Sequence, residues 1–349
     1  MGRRVLITGI GEFWGGRVAQ ALEADPDVDV IIGLGTNDPT LPLERTEFVP
    51  ADTSYSILNR IVKATRVDTV LHTFLVVDST RVGSNELHEQ NVIGTMNLLA
   101  AVGAPGSSVR HVVVKSSTLV YGSSSRGPTW YREETPRTAP ARTRVERSLL
   151  EVESYLKDFA LDNPHVLVTL MRFANVVGTD IVTPITKALR LPVTPGIFGF
   201  DPLMQFVEED DVVRSIDFVT RGAIGGVFNV AGDGRLPWSE VAAICGKRVA
   251  PVPPFATGLA TAPLALLGVE LPSELLDLLR HGRGVDNGKL KDLGFDYRFT
   301  SAGAVDNFAR AMRLQNAVGP RDPYHYSHDV EQFFQHSPAV VREGELDIR

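Results

Sequence analysis

Val5-Leu-Ile-Thr8-Gly9-Ile-Gly11-Glu12-Phe13-Trp14-Gly15-Gly16 decides the architecture. A short aliphatic run, Val5–Thr8, enters a glycine turn, and the turn opens onto an amphipathic stretch, Gly16–Glu23. Strand, tight turn and helix in that order let the backbone approach a diphosphate, whose charge rests on the helix N-terminus. Alone, such a turn is a weak signal. It gains weight from the pattern of the downstream chain.

Further apolar runs recur at Val30–Leu34, Thr69–Phe74, Val109–Ser117 and Val166–Phe173, with helical stretches Glu89–Val102 and Arg144–Leu161 between them. Each run is too short for a helix and rich in β-branched residues, as suits a strand buried on both faces of a parallel sheet. Strand–helix–strand repetition predicts an α/β fold: a doubly wound, Rossmann-like parallel sheet with right-handed crossovers. Gly103–Ser108 and Ser123–Pro128 read as loops. Beyond Gly178 the pattern turns irregular and proline-rich, then returns to a strand at Gly226–Val230. The reading is therefore a dinucleotide-binding domain over 1–178 and 205–231, with a smaller C-terminal substrate lobe from 179–204 and 232–317. Residues 318–349 read as a docked or frayed tail.

At 349 residues and 43% apolar composition, the chain has ample material for a large core. Its net charge of −7, from 35 basic and 42 acidic residues, leaves no footprint for nucleic acid. A single cysteine, Cys245, excludes an internal disulfide framework and suits a cytoplasmic location. It reads as a small buried apolar residue before a reactive thiol. Arg3-Arg4 before Val5-Leu-Ile imitates a signal peptide, but the apolar run is too short. Val249–Val269 carries no charge, yet Pro251, Pro253, Pro254 and Pro263 would break a spanning helix, so no transmembrane segment is expected. That stretch reads as a pocket wall or lid, or as a surface contact with membrane. No metal site is expected.

Six stretches downstream carry a specific likeness. They are Ala51-Asp52-Thr53, Asp68-Thr-Val-Leu-His72-Thr73, Asn91-Val-Ile-Gly94-Thr-Met-Asn97, Ser116-Ser117-Thr-Leu-Val-Tyr121-Gly122, Arg172-Phe-Ala-Asn175-Val-Val-Gly178 and Phe228-Asn229-Val-Ala-Gly232. With the opening turn, they make residues 3 to 235 resemble an extended short-chain dehydrogenase/reductase of the NAD-dependent epimerase/dehydratase family. The resemblance implies NAD or NADP as cofactor and a small-molecule substrate such as a nucleotide sugar. It also implies a redox step at a hydroxyl or ketone, and a homodimer. By resemblance, Thr8, Gly9, Gly11, Phe13, Trp14 and Gly15 line the cofactor phosphates, and Asp52 and Thr53 the adenine. His72 and Thr73 lie by the cofactor ribose, Ser116 is a further cofactor contact, Asn91 is an orienting residue, and Asn175 and Arg172 meet substrate. Ser117 matches the residue that hydrogen-bonds the substrate oxygen.

The departures weigh as much. The phosphate loop carries Glu12 where the family has its middle glycine. A carboxylate 4 Å from a diphosphate charge costs about 4 kcal/mol at an effective dielectric near 20. Either Glu12 turns outward and caps its own helix, where acids are favoured, or cofactor binding weakens. At Gly35-Thr36-Asn37 no acid stands ready for ribose hydroxyls and no arginine for a 2′-phosphate, which leaves NAD against NADP undecided. Anchored on Ser148 and Glu153, the family's Tyr-x-x-x-Lys positions fall on Val145 and Leu149, which transfer no proton. Lys115, two residues before Ser117 on one strand face, is a candidate replacement, and Tyr131 a second. Arg137, Arg142, Arg144 and Arg147 form either a solvated face or an anion grip. Glu208 stands where a histidine is common. Three functions remain: an epimerase, dehydratase or reductase using Ser117 and a relocated acid/base; a silent nucleotide-binding pseudoenzyme acting through a partner; and an enzyme for lipophilic substrates walled by Phe255–Val269.

Overall fold

In the computed structural model the described residues are 2–254, 271–318 and 337–340. Seven strands form one parallel sheet: β1 (Arg3–Thr8), β2 (Val28–Gly35), β3 (Thr46–Pro50), β4 (Thr69–His72), β5 (His111–Ser117), β6 (Leu167–Phe173) and β7 (Gly226–Val230). Their order is β7-β6-β5-β4-β1-β2-β3. The chain reverses its direction of travel between β1 and β4, so a crevice opens there beyond the carboxyl ends of the strands.

The apolar residues of the central strands alternate between two buried clusters, one on each face. Leu6, Val70, Val112, Val114 and Leu170 pack with helices α2 (Tyr55–Thr65), α4 (Gly94–Val102) and α5 (Arg144–Asp162). Val5, Ile7, Leu71, Val113, Met171 and Phe173 pack with α1 (Phe13–Glu23) and α7 (Glu209–Arg221). A third cluster, including Leu189, Phe206, Trp238, Leu278 and Phe308, lies among α6 (Pro184–Arg190), α8 (Trp238–Ile244), α9 (Ser273–His281) and α10 (Ser301–Val318). Cys245 is buried in it, and burial pushes its thiol up to about 11. Short two-stranded sheets, such as Val193–Ile197 with Arg248–Val252, complete this smaller lobe.

Two elements depart from the sequence pattern. Glu89–Val102 is not one α-helix: α3 (Ser84–His88) runs into a π-helical turn at Glu89–Ile93 before α4 begins. Such turns re-aim side chains, and this one carries Asn91. The edge strand β3 and helix α2 supply sheet and cover where the sequence offered only the Ala51-Asp52-Thr53 motif. Phe255–Val269 and nearly all of the tail lie outside the described residues. Ala339 is buried, and the Arg4 guanidinium donates to its carbonyl. Among the described residues no helix is long and apolar enough to cross a membrane.

Buried hydroxyls and an imidazole tie the carboxyl edge together. Thr95 Oγ1 donates to the Asn91 carbonyl at 2.5 Å, so His72 Nε2, 2.9 Å away, must donate to Thr95. His72 Nδ1 then accepts from Thr8 Oγ1 at 2.8 Å, and Thr73 Oγ1 donates to the Thr8 carbonyl at 2.9 Å. His72 is fully buried, and that burial lowers its pKa to about 3. It is packed and neutral, a bolt between β1, β4 and α4.

Two outcomes test this frame. A Cβ on Gly15 would lie 2.2 Å from the Gly9 carbonyl oxygen. Gly15→Ala should therefore push α1 off β1 and cost about 1–3 kcal/mol, read as a lower urea midpoint. His72 resists a proton that the unfolded chain accepts below pH 6.5, so its stabilisation is complete above that pH and drains as pH falls toward 3. Stability should drop by roughly 2 kcal/mol between pH 7 and pH 5 from this group. His72→Gln should flatten that slope in denaturation curves.

Candidate functional site

Two adjoining cavities open along the carboxyl edge. The larger, about 1370 Å³ of empty space, is lined by the phosphate loop, the end of β2, Asp52, Thr53 and Arg81. The second, about 660 Å³, is lined by Lys115, Ser117, Phe173, Asn175, Glu274 and Arg283. They meet at neighbouring residues, Val76 in the first and Val77 in the second. Asn91 fixes that junction: its Oδ1 accepts from the Val76 N–H at 2.7 Å, and its Nδ2 donates to the Val76 carbonyl at 2.9 Å and to Ser148 Oγ at 3.0 Å. Its role is positional.

In the first cavity, Gly9 takes a left-handed φ of 80°, with Phe74 packed where a side chain would sit. The space beside Gly11 is filled by the Asn37 main chain, 2.3 Å from where a Cβ would stand. Glu12 corrects the outward-capping expectation. It occupies the N-cap of α1 but its side chain makes no capping bond. Instead its Oε2 accepts from Arg81 Nη2 at 2.7 Å, so the carboxylate lines the cavity with a cation attached. Thr36 and Asn37 line the end of β2. Asp52 accepts from the Ser54 N–H at 3.0 Å through one oxygen and borders the same space. Phe13 and Trp14 meet edge to face at 4.9 Å.

In the second cavity, β5 sets Lys115 and Ser117 on one face by alternation. Ser117 Oγ accepts from the Leu119 N–H at 3.2 Å, which leaves its own proton for another acceptor. The Lys115 Nζ stands 5.4 Å from the Trp14 ring centroid and 5.9 Å from that of Phe173. Among the described residues it has no hydrogen bond and no ion pair. Burial, with Arg81 adding to it and Glu12 opposing, pulls its pKa down to about 8. An amine that is partly neutral near physiological pH can move a proton.

Ser116 and Arg172 point the other way. Ser116 Oγ donates to Glu153 Oε1 at 3.0 Å, and Arg172 is held by Glu153 at 2.6 Å, the Tyr121 hydroxyl at 2.7 Å and the Glu133 carbonyl at 3.0 Å. Arg172 is thus committed to a buried structural pair, and the Ser116 hydroxyl is taken by Glu153 although the residue borders the Ser117 cavity. Tyr131 is buried and stacked on Tyr121 at 4.6 Å, outside the residues lining the Ser117 cavity. Val145 and Leu149 are fully buried in the α5 face of the core. A capping box between Thr143 and Glu146 fixes the start of α5, and Glu146 also grips Arg137 at 2.7 Å. Arg137 therefore faces inward, while Arg142 reaches Asp277 at 3.7 Å. Glu208 caps α7 through the Asp210 N–H and meets Asn307; burial raises its pKa to about 7. Asn175 Nδ2 donates to the Gln205 carbonyl at 2.8 Å while bordering the cavity.

Sequence reasoning missed Arg81, Glu274 and Arg283. Arg283 is buried with only long contacts, 3.4 Å to the Gly122 carbonyl and 3.3 Å to Ser123 Oγ, and has no ion pair among the described residues. Burial lowers its pKa to about 10. The glycines flanking it are a legible trace: a Cβ at Gly282 would collide with the Leu203 carbonyl at 2.3 Å.

The chain is 31% identical over 323 residues to an uncharacterized protein of Mycobacterium tuberculosis, covering 90% of this chain and 86% of that one. A UDP-glucose 4-epimerase of Erwinia amylovora is 29% identical over 188 residues, half of this chain and 53% of that enzyme. In three dimensions, a dTDP-glucose 4,6-dehydratase from Streptomyces venezuelae, solved with NAD bound, superposes with a TM-score of 0.67 at 21% identity, covering 90% of this chain and 98% of that one. Residues 5–231 match the NAD dependent epimerase/dehydratase family, and the chain belongs to it.

Proposed function

We propose that the chain binds NAD or NADP along the phosphate loop and a nucleotide sugar in the Ser117 cavity, and carries out a redox step at a sugar hydroxyl with Lys115 as the proton-transfer group. The observation that carries this reading is the buried, unpaired Lys115 amine beside Ser117. Family membership and the nucleotide-sugar enzymes among its likenesses support the substrate class. Thr8, Gly9, Gly15, Asp52 and Thr53 would hold the dinucleotide, with Arg81 offsetting Glu12. Arg283 and Asn175 would face the anionic part of the second ligand. When bound, the nicotinamide supplies a hydride acceptor. Ser117 orients the substrate hydroxyl, and neutral Lys115 takes its proton as the carbonyl forms, then returns it. Trp14 and Phe173 flank the amine, and burial lowers its pKa.

A second reading has its own observation: Val145 and Leu149 are sealed in the core, and a carboxylate lines the cofactor cleft. On that reading the fold binds its ligands without turnover and acts through a partner. A cytoplasmic homodimer suits either.

Nicotinamide fluorescence tests both readings, and turnover decides between them. NADH or NADPH should bind below millimolar concentration; no binding of either removes both readings. With NAD and a panel of UDP- and dTDP-sugars, kcat/KM should rise with pH through about 8, where Lys115 loses its proton. Lys115→Met should cut turnover by about 100- to 10,000-fold while leaving NADH affinity intact. Wild-type binding without turnover would leave the silent reading standing. In the same titration, Arg81→Ala should weaken NADH about tenfold, ~1.4 kcal/mol, by leaving Glu12 uncompensated. Glu12→Gln should strengthen it, and the double variant should return near the wild type.

A further inference from the structure

The Ser117 cavity keeps two buried, opposite charges apart. Arg283 lies among its polar walls, and Glu274 enters from the first turn of α9. Glu274 is 6% exposed. Its Oε2 accepts from Ser79 Oγ at 3.0 Å, whereas its Oε1 is buried and has no hydrogen-bond partner among the described residues. No ion pair joins it to Arg283 or to any other described cation. The cavity walls nearest it in sequence, Pro272, Leu275 and Leu278, are apolar, and Val77 borders the same space. None of those side chains can donate to it.

An oxygen of this kind is costly to leave unmatched, and native proteins rarely do so without a use for it. A metal is a poor occupant, since among the described residues no group of three or more ligating side chains exists. An anion is repelled and drawn instead toward Arg283. What remains is a neutral donor carried on a ring with an apolar face, which the leucine-lined wall accommodates.

We propose that Glu274 orients the sugar ring, its free oxygen accepting a hydrogen bond from one ring hydroxyl while Arg283 takes the anionic end of the same ligand. This rests on the nucleotide-sugar reading and adds to it the residue that fixes which way the ring faces. Glu274 is then a specificity-determining contact, and Ser79 its positioning partner.

Calorimetric titration of the full chain loaded with NAD tests it, using UDP-glucose, dTDP-glucose and the corresponding free nucleoside diphosphates. Glu274→Leu should weaken the sugar nucleotide that the wild type binds by about 10- to 100-fold, the range for losing a hydrogen bond to a charged group. Affinity for the free diphosphate and for NAD should stay unchanged. In the wild type, one monodeoxy analogue of that sugar nucleotide should lose the same factor, and Glu274→Leu should not distinguish analogue from parent. Equal binding of parent and every monodeoxy analogue by the wild type overturns the proposal, even if the leucine variant fails to fold. So does a parallel loss of sugar nucleotide and free diphosphate in a folded Glu274→Leu protein. A wild-type chain that binds neither sugar nucleotide nor diphosphate overturns the nucleotide-sugar reading, and this proposal with it.

Discussion

Everything at the ligand-facing edge depends on a run of buried hydrogen bonds that starts at Thr8 and passes through His72 and Thr95 to the Asn91 carbonyl. The Asn91 amide carries it on to the Val76 peptide and to Ser148 on α5. In an apolar interior each such group must be paired, so the members hold one another in a single arrangement. The run crosses from β1 to β4, then to the two helices that cover them. It therefore sets the floor of the crevice before any ligand is considered.

Within that floor, a buried amine stands on a strand while the facing helix offers only aliphatic side chains. Val145 and Leu149 cannot be turned toward the cavity, because the capping box and the Glu146–Arg137 pair fix the first turn of α5 and the core closes over both side chains. β5 instead presents an amine. Aromatic rings of Trp14 and Phe173 stand in for the counter-ion that a buried lysine would otherwise need, since their faces attract a cation without neutralising it. The same exchange recurs in the other cavity, where a carboxylate replaces the expected glycine and Arg81 arrives to offset it.

The sheet was legible because strands buried on both faces read as unbroken apolar runs, and β1, β2, β4, β5 and β6 all do. β3 was not, because Thr46-Glu47 at its start are only partly buried, and its remaining residues blend into the Ala51-Asp52-Thr53 motif. The π-turn at Asn91 has no local signature. Alternation was available and accounts for two hydroxyl and guanidinium orientations that motif likeness left open. Ser116 and Arg172 sit one residue out of phase with Lys115, Ser117 and Phe173, and so face α5 and Glu153. Partners far apart in the chain stayed invisible: Glu12 and Arg81 are 69 residues apart, and Ser79 and Glu274 are 195 apart.

The irregular segment after β4 carries Ser79, which bonds Glu274 at the wall of one cavity, and Arg81, which lines the other. Because Asn91 grips both polar groups of the Val76 peptide, that segment is clamped at its root and cannot slide as a unit. Parting Arg81 from Glu12 then takes rotation of one long side chain, with the backbone behind it held in place.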